Sequence, residues 1–227
     1  MLNVLDLKKG VDILAEVGGI RSLDEAKMLF GVKCDQENLA KLSRITNEEA
    51  LLKIANAISM TDPDEVFVNT GSDADVQRVR IMSLAKGEEC PVAMKDHTIH
   101  FDLAKEQARI IDRTYYIVNP DELTSVLALS IPRDEAYEYI QTYMVGIARG
   151  MTLLVGFFSR GPIGAPAAIP ALEITTSTYV MHSANILYRN VYHRFDEEVE
   201  RVGLFFTNVH GRDSDTMPPV RAARNPD

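Results

Sequence analysis

Apolar residues near the start of the chain recur at the spacing of amphipathic helices. One such stripe comprises Leu51, Ile54, Ala55 and Ile58. Because side chains three and four positions apart share one face of a helix, the stripe predicts a helix that packs on a core. It ends before Asp62-Pro63-Asp64, which breaks the helical pattern. We therefore predict a helical N-terminal segment over residues 1–62.

Two of these helices begin with capping sequences. In Ser22-Leu23-Asp24-Glu25 the serine hydroxyl can accept a hydrogen bond from an amide that lacks a helical partner, and the glutamate can reach back to the cap. Thr46-Asn47-Glu48-Glu49 has the same pattern just before the apolar stripe. Both sequences predict where a helix starts.

From residue 65 onward, short apolar runs alternate with polar helical stretches. Val66-Phe67-Val68 predicts a strand, and the continuous apolar run from Met151 to Phe158 is typical of a central strand buried on both faces. Further strands are predicted over residues 97–102, 114–118, 171–176 and 203–209, and helices over residues 73–85, 133–149 and 178–194. The alternation predicts an α/β domain over residues 63–210, with α+β as the alternative, and a loose tail over residues 211–227.

The composition is that of an ordinary globular protein, since 46% of the 227 residues are apolar and 25% are charged. A largely disordered chain would carry fewer apolar residues. The formal net charge of −9 repels phosphate backbones and anionic lipids, so we expect neither nucleic acid nor a membrane surface as a partner. Two cysteines, no signal peptide and no apolar run near the roughly 20 residues of a spanning helix predict a cytoplasmic location.

The first candidate site is Asp96-His97-Thr98-Ile99-His100-Phe101-Asp102, whose side chains include metal-ligand types. On a strand, however, His97 and His100 point to opposite faces, whereas His100 and Asp102 share one. We therefore favour histidines that form ordinary hydrogen bonds over a metal site.

The second candidate is Arg109, which stands just before the apolar pair Ile110-Ile111. A half-buried arginine presents a planar fork that suits a carboxylate or a phosphate. Considered alone, the sequence favours a surface salt bridge to Asp112 or Glu106.

The third candidate is Ser159-Arg160-Gly161-Pro162, at the end of the predicted central strand. Ligands of open α/β sheets bind outside the carboxyl ends of strands, and small residues allow the backbone to come close to them. A ligand loop and a structural turn are equally supported. Because residues 159–170 are apolar as well as rich in Gly, Pro and Ala, we expect this loop to pack against the fold.

Common nucleotide and nucleophile motifs are absent from the sequence, including the Gly-x-x-x-x-Gly-Lys-Ser/Thr phosphate loop and the Gly-x-Ser-x-Gly elbow. A longer match is more specific. The stretch from Gly150 to Pro166, continued by Ile169–Thr175, Tyr179–Ser183 and Ile186–Asn190, resembles GTP-dependent phosphoenolpyruvate carboxykinase. His97–Asp102 followed by Gln107-Ala108-Arg109 is similar to the archaeal branch of that family. The resemblance covers roughly residues 65–206.

The resemblance implies a mixed sheet flanked by helices, like the N-terminal domain of the family. It also implies the reaction of the family, whose members are lyases that act as decarboxylases in gluconeogenesis. They convert oxaloacetate and GTP to phosphoenolpyruvate, GDP and carbon dioxide with manganese or magnesium ions. Arg109 falls at the position of the arginine that holds the substrate carboxylate. Ser159, Gly161 and Arg189 are then support beneath the site.

Three departures from the family pattern stand out. Met151 precedes Thr152 where the family has a basic residue, and Arg160 replaces an apolar residue. Thr176-Ser177-Thr178 replaces a Thr-Asp-Ser sequence, so the acid is missing. The family's substrate loop, metal ligands, phosphate loop and guanine pocket match nothing here. We therefore expect the 227-residue chain alone to lack carboxykinase turnover, with GTP and metal bound by a C-terminal nucleotide-binding domain or subunit.

Two alternatives remain open at this point. One is a stand-alone binding or regulatory protein of the same fold, without catalysis and with a polar surface. The other is a small independent enzyme that uses His100, Asp102 and Arg109. A substrate-binding part of a carboxykinase predicts instead a large apolar surface where a partner domain would bind.

Overall fold

In the computed structural model, residues 3–4, 10–101 and 114–211 are described. The helices are α1 (Ile13–Gly18), α2 (Leu23–Lys33), α3 (Gln36–Leu42), α4 (Glu48–Thr61), α5 (Asp73–Ala85), α6 (Arg133–Met144), α7 (Thr178–Leu187) and α8 (Phe195–Val202). The strands are β1 (Asn3–Val4), β2 (Glu65–Asn69), β3 (Cys90–Pro91), β4 (Thr98–Ile99), β5 (Tyr115–Val118), β6 (Glu122–Leu123), β7 (Leu129–Pro132), β8 (Thr152–Arg160), β9 (Ile169–Thr175), β10 (Arg189–Asn190) and β11 (Phe206–His210).

The central sheet is mixed. β2 lies parallel to the first half of β8, and β10 continues along the same edge of β8 in the antiparallel direction. β9 pairs antiparallel with β8 on its other edge, and β11 pairs parallel with β9. Three small two-stranded sheets accompany it, β1–β6, β3–β4 and β5–β7. The predicted α/β fold with a mixed, helix-flanked sheet is confirmed.

Both faces of the central sheet are covered by helices. On one face, Leu153, Val155 and Phe157 of β8 belong to the same apolar core as Phe30 of α2 and Ile54 of α4. On the other face, side chains from the sheet and from α5 and α7 form a second core, comprising Phe67, Leu154, Phe158, Val79, Met181 and Ala184. The interior of β8, from Leu153 to Ser159, is buried throughout, as its unbroken apolar run predicts.

The capping prediction holds at α2 and is wrong in detail at α4. Ser22 and Glu25 form the complete capping box. At α4 the cap is Asn47, whose side chain accepts from the amide of Ala50. Thr46 lies one position too early, and its amide and hydroxyl instead donate to Asp196 of α8 at 2.9 and 2.8 Å. The local sequence predicts Thr46 as the cap, but its hydrogen bonds go to a carboxylate that is distant in sequence.

Several predicted elements are shorter in the structure, among them the strand expected over residues 203–209, which forms only Phe206–His210. The helix expected over residues 133–149 ends at Met144, and the one expected over 178–194 ends at Leu187. Of the strand predicted over residues 97–102, the described part forms only Thr98–Ile99. No helix within the described ranges is both long and apolar enough to cross a bilayer. The division at residues 62 and 210 stays a prediction.

Candidate functional site

The loop candidates meet at the end of β8. Ser159 is fully buried in the strand, and its hydroxyl donates to the carbonyl of Gly161 at 3.1 Å. Gly161 has a φ of 129°, a backbone conformation that favours glycine. Arg189 lies opposite Ser159 in the β10 register, with an exposed side chain. The structure therefore brings Ser159, Gly161 and Arg189 together at one strand end.

The loop that follows is more exposed than its apolar composition predicts. Residues 161–164 and 166–167 are exposed, so the expectation that the loop packs against the fold is wrong for most of it. Side chains of α8 hold it instead. Arg201 donates to the carbonyls of Ala165 and Ala168 at 3.0 and 3.2 Å, and Glu198 accepts from the amide of Gly164 at 3.4 Å. Polar contacts to its backbone, rather than burial of its side chains, fix the loop.

The Glu198–Arg201 pair is itself well defined. Glu198 is 2% exposed, and its carboxylate lies 2.6 Å from an Arg201 nitrogen. The hydrogen bond from Arg201 holds the pKa of Glu198 below its ordinary value, and the Gly164 amide acts in the same direction. The carboxylate is therefore charged at neutral pH and keeps the guanidinium directed at the loop.

Arg160 pairs with a buried carboxylate. Its guanidinium lies 4.5 Å from the centre of the Tyr188 ring and 3.4 Å from Glu173 of β9. Asn208 donates to the same Glu173 oxygen at 3.1 Å, and His210 lies 2.6 Å from the other oxygen. A buried charge needs such partners, so Arg160 acts as a counter-charge within this polar cluster.

A second polar cluster was not predicted from the sequence and lies at the N-terminus of α7. Glu88, which is 3% exposed, accepts from the Ser177 hydroxyl at 2.7 Å and from the Tyr179 amide at 2.8 Å. The next residue, Glu89, is 5% exposed and lies 2.7 Å from His182 Nδ1. Two consecutive buried acids thus fasten the chain that precedes β3 to α7.

Glu89 is held in its charged form by these contacts. Burial alone would raise the pKa of Glu89, but hydrogen bonds that include those from Thr98, at 2.6 Å, and His182 outweigh it, so the pKa lies below its ordinary value. Because Thr98 belongs to β4 and His182 to α7, one carboxylate connects the β3–β4 hairpin to the helix.

The two histidines of the first candidate site form hydrogen bonds to backbone carbonyls. His100 Nδ1 donates to the carbonyl of Glu88 at 2.6 Å, and its ring stacks on Tyr179 with centroids 3.5 Å apart. His97 Nδ1 lies 2.8 Å from the Lys95 carbonyl. Within the described ranges, no group of three or more His, Cys, Asp or Glu side chains is arranged to hold a metal ion. Asp102 and Arg109 lie outside the described residues.

The only sequence sign of the Glu88 cluster is a pair of acids after a helix-ending glycine, Gly87-Glu88-Glu89. Such a pair is normally solvated, and its partners lie about 90 residues away in sequence. Only the packing of α7 against this segment reveals the contact.

Comparison with known proteins relates this chain to one protein family. The profile described as phosphoenolpyruvate carboxykinase N-terminal domain matches residues 53–224. The chain is 33% identical over 177 residues to phosphoenolpyruvate carboxykinase (GTP) of Saccharolobus solfataricus, covering 78% of this chain and 28% of that protein. It is 36% identical over 181 residues to phosphoenolpyruvate carboxykinase (GTP) of Pyrococcus furiosus. This match covers 80% of this chain and 28% of that protein.

The similarity extends to a vertebrate relative. The cytosolic phosphoenolpyruvate carboxykinase (GTP) of Gallus gallus is 26% identical over 152 residues, which cover 60% of this chain and 23% of that protein. The chain thus matches about a quarter of the length of these relatives.

Proposed function

Because this chain belongs to the family defined by the phosphoenolpyruvate carboxykinase N-terminal domain, we propose that it is the substrate-binding part of such an enzyme. The observation that carries the proposal is the profile match over residues 53–224, which includes Arg109. In this proposal the Arg109 guanidinium holds a carboxylate of oxaloacetate or phosphoenolpyruvate through two charge-assisted hydrogen bonds. Ser159, Gly161 and Arg189 form a support near the site.

The described residues that precede Arg109 in sequence are anchored to α7, which supports this role. His100 is fixed by its stack on Tyr179 and by its hydrogen bond to the Glu88 carbonyl. Glu88 in turn caps α7 through Ser177 and the Tyr179 amide.

The complete reaction converts oxaloacetate and GTP to phosphoenolpyruvate, GDP and carbon dioxide. Manganese or magnesium and the nucleotide supply charge neutralisation and the transferred phosphoryl group. The described residues hold no cluster of three or more His, Cys, Asp or Glu side chains that could bind the metal. We propose that a C-terminal nucleotide-binding domain or subunit provides these parts, and that the 227 residues alone do not turn over.

Exposed apolar side chains support the proposal that a C-terminal domain or subunit binds to this chain. Between β5 and α6, Val126 is fully exposed and Leu127 is 93% exposed. Other large apolar side chains in the same region are also exposed, namely Tyr115, Tyr116, Leu123, Leu129, Tyr139, Tyr143 and Val145. Such a concentration favours a covered surface over the uniformly polar surface that a stand-alone regulatory protein would have.

Calorimetric titration with phosphoenolpyruvate tests the proposal. We expect weak, saturable binding that Arg109→Ala abolishes and that Arg44→Ala, an exposed arginine of the described surface, leaves unchanged. No binding to the native chain, or equal binding by Arg109→Ala, would contradict the substrate-binding role. Turnover of oxaloacetate and GTP by the purified chain would contradict only its inactivity.

A further inference from the structure

Three adjoining cavities meet at one ion pair that belongs to none of the clusters described above. They have volumes of about 350, 450 and 490 Å³, and Asp12 and Lys53 line all three. Lys53 projects from α4, and Asp12 immediately precedes α1. A lysine shared by several cavities is a candidate contact for a ligand.

The Lys53 ammonium has hydrogen-bonding capacity to spare. Its Nζ lies 2.6 Å from Asp12 Oδ2, and the side chain is only 20% exposed. Within the described part of the chain, Asp12 is its one ionic partner, so one carboxylate serves a group with three N–H donors. Both oxygens of Asp12 already have a partner, because its Oδ1 also accepts from the Ala15 amide at the start of α1. The remaining Lys53 donors are available to the cavities.

The 450 Å³ cavity has the character of a small-molecule site. Its walls are largely apolar and include Met60 of α4, Ile140 and Met144 of α6, and Val209 of β11. Asp12 and Lys53 are the charged residues that line it, and their charges offset each other. The volume falls within the roughly 300–1,000 Å³ typical of ligand pockets.

We propose that this cavity binds a small amphipathic carboxylate. The carboxylate accepts hydrogen bonds from the free donors of Lys53, and the hydrocarbon part packs against Met60, Ile140 and Met144. An ionised acceptor forms a stronger hydrogen bond to an ammonium than a hydroxyl does, so the acid is preferred over the matching alcohol. Removal of the hydrocarbon from water supplies the remaining affinity. The proposal does not depend on the carboxykinase assignment.

Methionine methyl NMR can locate the site directly. With ¹³C-methyl methionine in the full chain and octanoate as the probe, we expect the Met60 and Met144 signals to shift saturably. The signal of Met28, which is 74% exposed on α2, should stay in place. We expect 1-octanol to bind about tenfold more weakly. Unmoved Met60 and Met144 signals, or equal affinities for the acid and the alcohol, would overturn the proposal.

Two sets of variants distinguish an effect of charge on octanoate binding from a loss of the folded structure. Lys53→Met keeps the aliphatic stem and should weaken octanoate about tenfold while leaving 1-octanol unchanged. Ile140→Asp and Ile140→Asn have nearly the same shape, and both leave the Lys53–Asp12 pair intact. We expect Ile140→Asp to bind octanoate clearly more weakly than Ile140→Asn, because only the aspartate repels the ligand. Equal octanoate affinities within this pair would overturn the proposal even if Lys53→Met failed to fold.

Discussion

The carboxylate of Glu88 accepts a hydrogen bond from the Ser177 hydroxyl at 2.7 Å, although 89 residues separate the two in sequence. Ser177 is the N-cap of α7, and Glu88 also accepts from the amide of Tyr179. The helix start itself, Thr176-Ser177-Thr178, has no local acid. Glu88 thus places a carboxylate at the helix start from a distant part of the chain, where it also meets the positive end of the helix dipole.

We expect Glu88→Ala to destabilise the fold by about 1–3 kcal/mol, because it leaves a buried hydroxyl and a helical amide without their acceptor. Urea unfolding followed by circular dichroism measures this loss. Glu138→Ala, on the exposed face of α6, is the control and should change stability by no more than about 0.5 kcal/mol. Equal effects of the two substitutions would show that the Glu88 cap contributes nothing particular.

Glu89 should make stability depend on pH in the acid range. Because its pKa in the folded state is lowered, its contribution is complete above the unfolded value of about 4.3 and is lost as the pH falls through the lower folded value. Glu89→Gln should therefore be less stable than the native chain at pH 7, and the two stabilities should converge as the pH falls through the lowered pKa of Glu89. Unfolding free energies measured between pH 3 and pH 7 check this. A constant difference across that range would refute it.

The helices, the central strand and the fold class were predictable because they depend on local periodicity. The Ser22 capping box and the buried run in β8 need only neighbouring residues to be recognised. The predicted Thr46 cap failed because Asp196, from another part of the chain, competes for that threonine. Local rules cannot anticipate a partner that only tertiary packing brings near.

Arg201 should control the order of the loop between β8 and β9. Arg201→Ala removes two hydrogen bonds to loop carbonyls, so we expect faster amide exchange over residues 161–168. The substitution also leaves the buried Glu198 carboxylate without its counter-charge, so the free energy of unfolding should fall by about 1–3 kcal/mol. Arg201→Lys should give an intermediate result, because lysine lacks the planar fork. Arg194→Ala, whose ion pair with Glu197 is exposed, is the matched control. Unchanged exchange in Arg201→Ala would contradict the clamp.

Only two signals in the sequence, the end of a predicted strand and the resemblance to a family, allowed residues of the candidate site to be predicted. Ser159 and Arg189 could be placed near each other because a strand end and a matched motif contain them. The Glu88 and Glu89 cluster could not, since consecutive acids are usually solvated and their partners lie on α7. The Lys53 cavity also depends on how α1, α4, α6 and β11 meet, which no local pattern encodes.

The central claim is that the Arg109 guanidinium binds the substrate carboxylate, and arginine side-chain NMR tests it most directly. The Nε–H signal of Arg109 can be assigned by its loss in Arg109→Lys. As phosphoenolpyruvate is added to the native chain, we predict that this signal shifts saturably, with the same dissociation constant that calorimetry gives. If phosphoenolpyruvate leaves the Arg109 signal unmoved up to saturating concentration, the account is contradicted.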